Sequence, residues 1–332
     1  MSIVVAASVQ PESSAKVTRK GRGRMTVTVL LLVAAVPFAL LVFLRLTGID
    51  GNRHTAAALA LSPYAAVAGM LLGGLALVVR QWWIGAVVLA LTVALVAVLL
   101  PRMLPDGQPA NDGAVLRVLA TNLYFSNGDA QRVVDHVRDN QIDVLALSEL
   151  DSSGVAALAD AGLFSVPPHQ ALRAADYGSG SGLVSRYPLE ELPPVEPSTF
   201  EQPRALLHLP GGATAEIVAV HACPPTLDVD DWRTELAALP QADDAAVRIL
   251  AGDFNATLDH AALRRVLSAG YHDAAEQRGN GFLPTWPSGL YPPPVTIDHV
   301  LADQRVEVRD YRVLNVPGSD HDAVYAELAL PG

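Results

Sequence analysis

"ILAGDFNATLDH" (residues 249–260) runs from a short apolar strand pattern into Asp253, Phe254 and Asn255, and then into a helix start. An aspartate and an asparagine two residues apart at the exposed end of a buried strand admit two explanations. One is turn chemistry, because both side chains accept backbone N–H bonds in Asx turns and helix caps. On that view Thr257 or Asp259 caps the helix that begins near residue 260. The other is that both side chains face a reacting phosphate. What stands at the ends of the other strands decides between them.

After residue 113, strand-like and helix-like segments alternate. "AVLRVLATN" (114–122) and "IDVLALSEL" (142–150) read as buried strands, with the amphipathic helix "DAQRVVDHVRDN" (129–140) between them. Further strands are expected at 181–186, 204–209, 214–221, 247–252, 295–302, 306–314 and 322–330, and helices near 229–239 and 259–268. Many strands and few helices predict a two-sheet α/β sandwich over residues 115–332.

Polar side chains recur where these apolar strands stop. Asn122 ends "VLATN", Glu149 follows "DVLALS", His221 ends "EIVAVH", and Asp253 and Asn255 follow "RILAG". Asp298 sits inside "VTIDHVL", and Asp320 and His321 open the last strand. Taken singly, each is better explained by a turn or a satisfied polar group. Together they form a set that loops at strand ends are suited to hold rigidly.

The ordered set "ATN", "LSEL", "GSGLVSRYP", "VHACPP", "AGDFNA", "TIDHVL" and "GSDHDAV" resembles the endonuclease/exonuclease/phosphatase superfamily over residues 115–330. That superfamily includes deoxyribonuclease I, abasic-site endonucleases and sphingomyelinases. The resemblance implies a deoxyribonuclease I-like fold and metal-dependent phosphoester hydrolysis. It implies Glu149, Asp320 and Asn122 at a Mg²⁺ ion, with Mn²⁺ or another divalent cation as alternatives. It further implies catalytic roles for Asp253, Asn255, His221, and His321 paired with Asp298. Tyr177 and Arg204 become candidate phosphate contacts. Two departures stand out. Ala323 occupies a position where relatives often carry proline, and no glutamate partner for His221 is evident near "DYGSGSGLVSRYP".

The first third of the chain differs in kind. Residues 1–104 hold nine Lys/Arg and two Asp/Glu, whereas residues 105–332 hold fourteen Arg, no Lys and 32 Asp/Glu. A domain with a formal charge of −18 repels polyanions over its general surface, which argues against a broad nucleic-acid footprint. Residues 25–44, 55–79 and 82–100 are uncharged stretches of spanning length, and predict three transmembrane helices within 25–104. Trp82 and Trp83 sit where aromatic residues anchor at headgroups. The basic tail (1–24) carries five Lys/Arg in "KVTRKGRGR". It is therefore expected in the cytoplasm, which places residues 115–332 outside, beyond a short linker at 105–114. The single cysteine, Cys223, reads as a small buried side chain.

Three N-terminal spans followed by this domain also resemble the VanJ-like teicoplanin-resistance membrane proteins of actinobacteria. That likeness implies undecaprenyl diphosphate, a polyprenyl diphosphate lipid of the outer membrane face, as substrate. The alternatives are a membrane-tethered nuclease or sphingomyelinase-like phosphodiesterase, and a non-catalytic module that binds lipid or glycopeptide.

Overall fold

The computed structural model describes residues 13–332, with side chains from residue 22. Residues 1–12 of the expected basic tail lie outside the described residues. The chain divides into two units, one made of residues up to Phe43 with Tyr64–Val96, the other of Leu44–Pro63 with Ala97–Gly332.

The first unit is built from three helices, α1 (Ser13–Thr47), α3 (Ser62–Val78) and α4 (Trp82–Leu99). Small residues let them approach closely. A Cβ on Gly73 would lie 2.6 Å from Leu89 Cγ, and one on Gly69 would lie 2.4 Å from the Phe38 ring. Gln81 donates to Thr28 Oγ1 across the bundle at 2.8 Å. Large apolar side chains such as Leu30, Val33, Leu71 and Val93 point outward, a surface that suits an apolar solvent. Among the described residues two helices, Arg22–Thr47 and Trp82–Met103, are long and apolar enough to cross a membrane.

The expected straight span over 55–79 is replaced by a bent pair, α2 (Arg53–Ala60) and α3, which counts as a third span only if the pair is taken as one. The cause is local. Asn52 and Thr55 form a capping box that starts α2, and Pro63 has no N–H to continue the helix past Leu61. The Ser62 hydroxyl donates to the freed Leu59 carbonyl at 2.7 Å instead.

The second unit holds twelve strands: β1 (Val115–Asn122), β2 (Val144–Ser148), β3 (His169–Arg173), β4 (Ser181–Ser185), β5 (Leu189–Leu192), β6 (Arg204–His208), β7 (Thr214–His221), β8 (Val247–Asp253), β9 (Tyr271–Asp273), β10 (Asp298–Asp303), β11 (Glu307–Leu314) and β12 (Ala323–Ala329). They form two six-stranded mixed sheets, ordered β11-β12-β1-β2-β4-β3 and β5-β6-β7-β8-β10-β9. Helices α5 (Ala130–Asp139), α6 (Ser152–Asp160), α7 (Val229–Ala238), α8 (Ala261–Ser268) and α9 (Ala274–Gln277) belong to this unit, as does α2.

Strand alternation sorts the side chains. Leu116, Val118, Ala120, Ile217, Ala219, Ile249 and Ala251 meet between the sheets. Their neighbours face outward, where Leu119 and Leu145 pack on α5 and α6, and Val218, Val220 and Leu250 pack on α7 and α8. Each sheet contains one parallel pair, β1 with β2 and β7 with β8, and each pair is joined through a helix, as a parallel crossover requires. Asn122 lies opposite Ser148 and His221 opposite Asp253 at the C-terminal ends of these pairs. Both pairs thus end at one edge of the sandwich.

Three local expectations change. The strand expected from 295 begins at Asp298, because Val295 instead bonds with Trp286 in both directions. Neither Thr257 nor Asp259 caps α8. The Asp50 carboxylate, from the segment before α2, accepts from Ala261 N at 2.6 Å and Ala262 N at 2.9 Å. The stretch expected as a linker at 105–114 is tied along the domain, with Asp106 N bonded to Gln277 O and Gln108 Oε1 to Val308 N.

Gly252 has no room for a side chain. Its φ is +146° and a Cβ would lie 2.0 Å from Val220 O on the neighbouring parallel strand. Gly252→Ala is expected to lower stability by about 2 kcal/mol or more, the scale of strain at such backbone positions. Thermal unfolding of the variant against the parent checks this.

Candidate active site

The side chains at the ends of β1, β7, β8 and β10 belong to the inward-facing set, so they converge where the two sheets open. Asn122 is the bridge between the sheets. Its Nδ2 donates to Glu149 Oε1 at 2.9 Å and to Asp253 Oδ2 at 3.1 Å. Its oxygen accepts from Tyr124 N at 2.9 Å. Asn122 thus sits beside Glu149, the carboxylate expected at the metal, with its N–H₂ turned toward the two carboxylates and one lone pair of its oxygen taken by Tyr124 N.

Glu149 takes a φ of +55°, and Tyr124, Phe125 and Ser126 form a run at φ +48°, +53° and +62°. Left-handed backbone at consecutive non-glycine residues is strained and held only where surroundings impose it. Here it aims Phe125 N–H at Glu149 Oε2, 2.9 Å away. Burial pushes the Glu149 carboxyl above its ordinary range, and the neighbouring Asp320 charge adds to this against the hydrogen bonds from Asn122 and Phe125.

Asp253 Oδ1 accepts from Asn255 N at 2.8 Å, and Asn255, at φ +47°, fixes its own amide on Ala222 O at 2.9 Å. The antiparallel β8–β10 register sets Asp253 opposite Asp298. Burial and the Asp298 charge raise the Asp253 carboxyl to about 7. The His321 Nδ1–H donates to Asp298 at 2.9 Å, which fixes the ring's orientation and leaves Nε2 3.9 Å from both Asp253 Oδ2 and Asp320 Oδ1. Burial opposes the charged imidazole, but Asp298, Asp253 and Asp320 outweigh it and raise His321 to about 10.

His221 is the counterpart of opposite character. It is buried, stacked on Phe200 at a centroid distance of 4.4 Å, and its Nδ1 has no partner among the described residues. Burial, with the nearby His321, lowers it to about 3, so it is a neutral imidazole. Tyr177, at φ +59°, lines the same cavity.

Arg204 does not join this group. Strand alternation puts it on the outer face of its sheet, where it pairs with Glu216, which Arg248 also holds at 2.7 Å. Its expected phosphate contact is corrected on that ground. Three residues carried no sequence signal. Trp286 Nε1 donates to Asp320 Oδ2 at 3.0 Å, Thr285 Oγ1 accepts from Asp298 N at 3.1 Å, and Phe200 packs on His221. Each acts through contacts between residues far apart in the chain.

The order of these residues along the chain, and not only their geometry, follows a known pattern. The model of the endonuclease/exonuclease/phosphatase family matches residues 119–321, more than half of the chain. The chain belongs to the endonuclease/exonuclease/phosphatase family. Solved structures with this fold include a family protein from Beutenbergia cavernae, 21% identical at a TM-score of 0.53 over 66% of this chain and 72% of that one. They also include D. rerio TDP2 in complex with a single-strand DNA product, 18% identical at a TM-score of 0.51 over 65% of this chain and 99% of that one. At such identities the likeness establishes the fold. No curated protein matches the chain in sequence.

Members of the endonuclease/exonuclease/phosphatase family are hydrolases of phosphoester bonds, and a divalent metal is usual among them. The residues present fit a hard cation. Glu149 and Asp320 offer carboxylate oxygens to one cavity, and Asp320 Oδ1 is buried without a hydrogen-bond partner among the described residues. Asp253, Asp298 and His321 also bring ligand atoms within 4.8 Å of one another and could bind an ion. With Nδ1 given to Asp298 and the ring held protonated, His321 is better suited to meet an anion.

Proposed function

We propose that this protein is a membrane-anchored, Mg²⁺-dependent phosphohydrolase that cleaves a lipid-linked diphosphate at the outer face of the cytoplasmic membrane, with undecaprenyl diphosphate as substrate. Carrier-lipid recycling, and through it glycopeptide (teicoplanin) resistance, would be its role. The observation that carries this reading is the convergence of Glu149, Asp253, Asp320 and His321 on one cavity, in a chain that also bears apolar helices of spanning length. The absence of lysine from residues 105–332 weighs against a nucleic-acid groove.

Bound at Glu149 and Asp320, Mg²⁺ would neutralise charge on the phosphoryl oxygens. The chain's own residues supply the rest. Asp253, held by Asn122 and Asn255 N–H and raised toward neutrality, orients a water and takes its proton as the new P–O bond forms. His321, oriented by Asp298, presents Nε2–H to the phosphate. The neutral His221 contributes a hydrogen bond on the leaving-phosphate side as the old P–O bond breaks.

The test is product release by the purified full-length protein: inorganic phosphate from polyprenyl diphosphate and monophosphate, phosphocholine from sphingomyelin, and nicked strands from DNA. Release from the diphosphate alone is expected, abolished by EDTA and restored by Mg²⁺. Plasmid nicking without phosphate release would replace this reading with a nuclease. Lipid binding without turnover of any substrate would leave only a binding module.

A further inference from the structure

The cavity that holds the catalytic side chains has a volume of about 590 Å³, ample for part of a chain-bearing ligand. Part of its wall comes from outside the β-sandwich. Ala56, Ala57 and Ala60 of α2, and Leu61 at its end, line it together with Phe200 and Ile297. These side chains offer no hydrogen bond to a head group; Ala56 is buried beneath the wall, whereas Ala57, Ala60 and Leu61 are accessible and their short or apolar side chains leave room over the helix.

Helix α2 is fixed in place by buried polar contacts. His260 takes the Thr257 N–H on Nδ1, which leaves its Nε2–H to donate to Ala56 O at 2.8 Å. Asp50, just before α2, caps α8, and Arg233 donates to Gly51 O. The polar part of the cavity contains an independent sign of a ligand. His221 is 2% exposed and lines the same cavity, yet its Nδ1 has no partner among the described residues. A buried imidazole nitrogen without a protein partner needs an explanation, and a ligand atom in the cavity it lines supplies one. In chain order, α2 lies between the apolar helices α1 and α3.

We infer that the α2 wall is a hydrocarbon-binding subsite: the chain of a lipid diphosphate lies along Ala57, Ala60 and Leu61 while its phosphates reach His321 beside Glu149 and Asp253. The subsite rests on the lipid-diphosphate activity proposed above, and adds to it a means of selecting long-chain over short-chain or water-soluble phosphates. Selection by an apolar wall scales with the number of methylene groups it removes from water.

The experiment uses the full-length protein in lipid nanodiscs with two substrates, a long-chain polyprenyl diphosphate and geranyl diphosphate. Ala57→Trp and Ala60→Trp should each lower the long-to-short ratio of kcat/KM at least tenfold. His54→Trp, at an exposed position of α2 outside the cavity, should leave that ratio as in the parent. A polyprenyl diphosphate carrying a photoactivatable group on its chain should label the peptide containing residues 53–61 in the unmodified protein, a readout that needs no variant to fold. An unchanged ratio in both tryptophan variants, or labelling confined to other peptides while the parent still cleaves the long-chain diphosphate, would overturn the subsite alone. A parent that releases phosphate from neither diphosphate overturns the proposed activity, and the subsite falls with it.

Discussion

Asp253→Asn should cut metal-dependent phosphate release by about a hundredfold or more, the scale on which a positioned acid–base group acts. The carboxylate is held on one oxygen by Asn255 N–H and on the other by the Asn122 amide. An asparagine keeps the size of the side chain but has no proton-accepting carboxylate. It must also turn one N–H₂ toward a donor, either Asn122 or Asn255. The loss should therefore fall on kcat, with KM little moved, because the residue acts on the attacking water and not on the lipid. His321→Ala should bring a loss of similar order through the phosphate, since Asp298 is then left without the imidazole it orients. Phosphate release at saturating substrate, measured beside thermal unfolding, separates lost chemistry from lost fold. An Asp253→Asn protein with parental kcat would sink the assignment of Asp253 as base.

Much of this constellation was legible in the sequence because strand periodicity is a local signal. "VLRVLATN", "EIVAVH" and "RILAGD" each alternate so that the terminal polar residue shares the face of the core residues before it, and Asn122, His221 and Asp253 indeed point inward between the sheets. The same parity, applied to "RALLH", would have put Arg204 opposite Ala205 and Leu207, which face the core, and so away from the site. Short elements escaped for the converse reason. Residues 189–192 and 271–273 form strands only because a long neighbour offers a ladder to pair with, and 152–160 is a helix largely because Asp151 caps a weak pattern. The break between α2 and α3 was visible as Pro63, but uniform hydropathy concealed it. The contacts of Trp286 with Asp320, and of Asp50 with α8, depend on tertiary approach and left no trace in either local sequence.

The junction between the inter-helix segment and the catalytic fold should be the most costly place to remove a single charge. Asp259 is buried and receives Arg45 Nε at 2.7 Å and Arg102 Nη1 at 2.9 Å, one arginine from each end of the helical region of the chain. Both guanidinium groups are themselves buried. Asp259→Ala leaves two buried cations without their counter-ion, and is expected to cost about 3–5 kcal/mol, the range for breaking a buried pair from one side. Burial alone would raise the Asp259 carboxyl, but Arg102 and Arg45 outweigh it and hold it below the ordinary carboxylate value. The sign of the pH dependence follows. With the folded-state value depressed, the stabilisation is fully present above the unfolded carboxylate pKa of about 3.9, and is lost as pH falls through the lower folded value. Near neutral pH, Asp259→Ala should therefore show its full deficit in thermal unfolding, and the gap to the parent should narrow as both are acidified. Proteolysis should open first within residues 44–63, because the Asp259 bond to Arg45 is one of the few side-chain ties, with those of His260, Asp50 and Arg233, that hold that segment to the catalytic fold. The acid–base residue and the wall of α2 are thus positioned by neighbouring residues of one short loop, Asp253 to His260. Loosening Asp259 should consequently reduce turnover of a long-chain diphosphate even though Asp259 does not line the cavity.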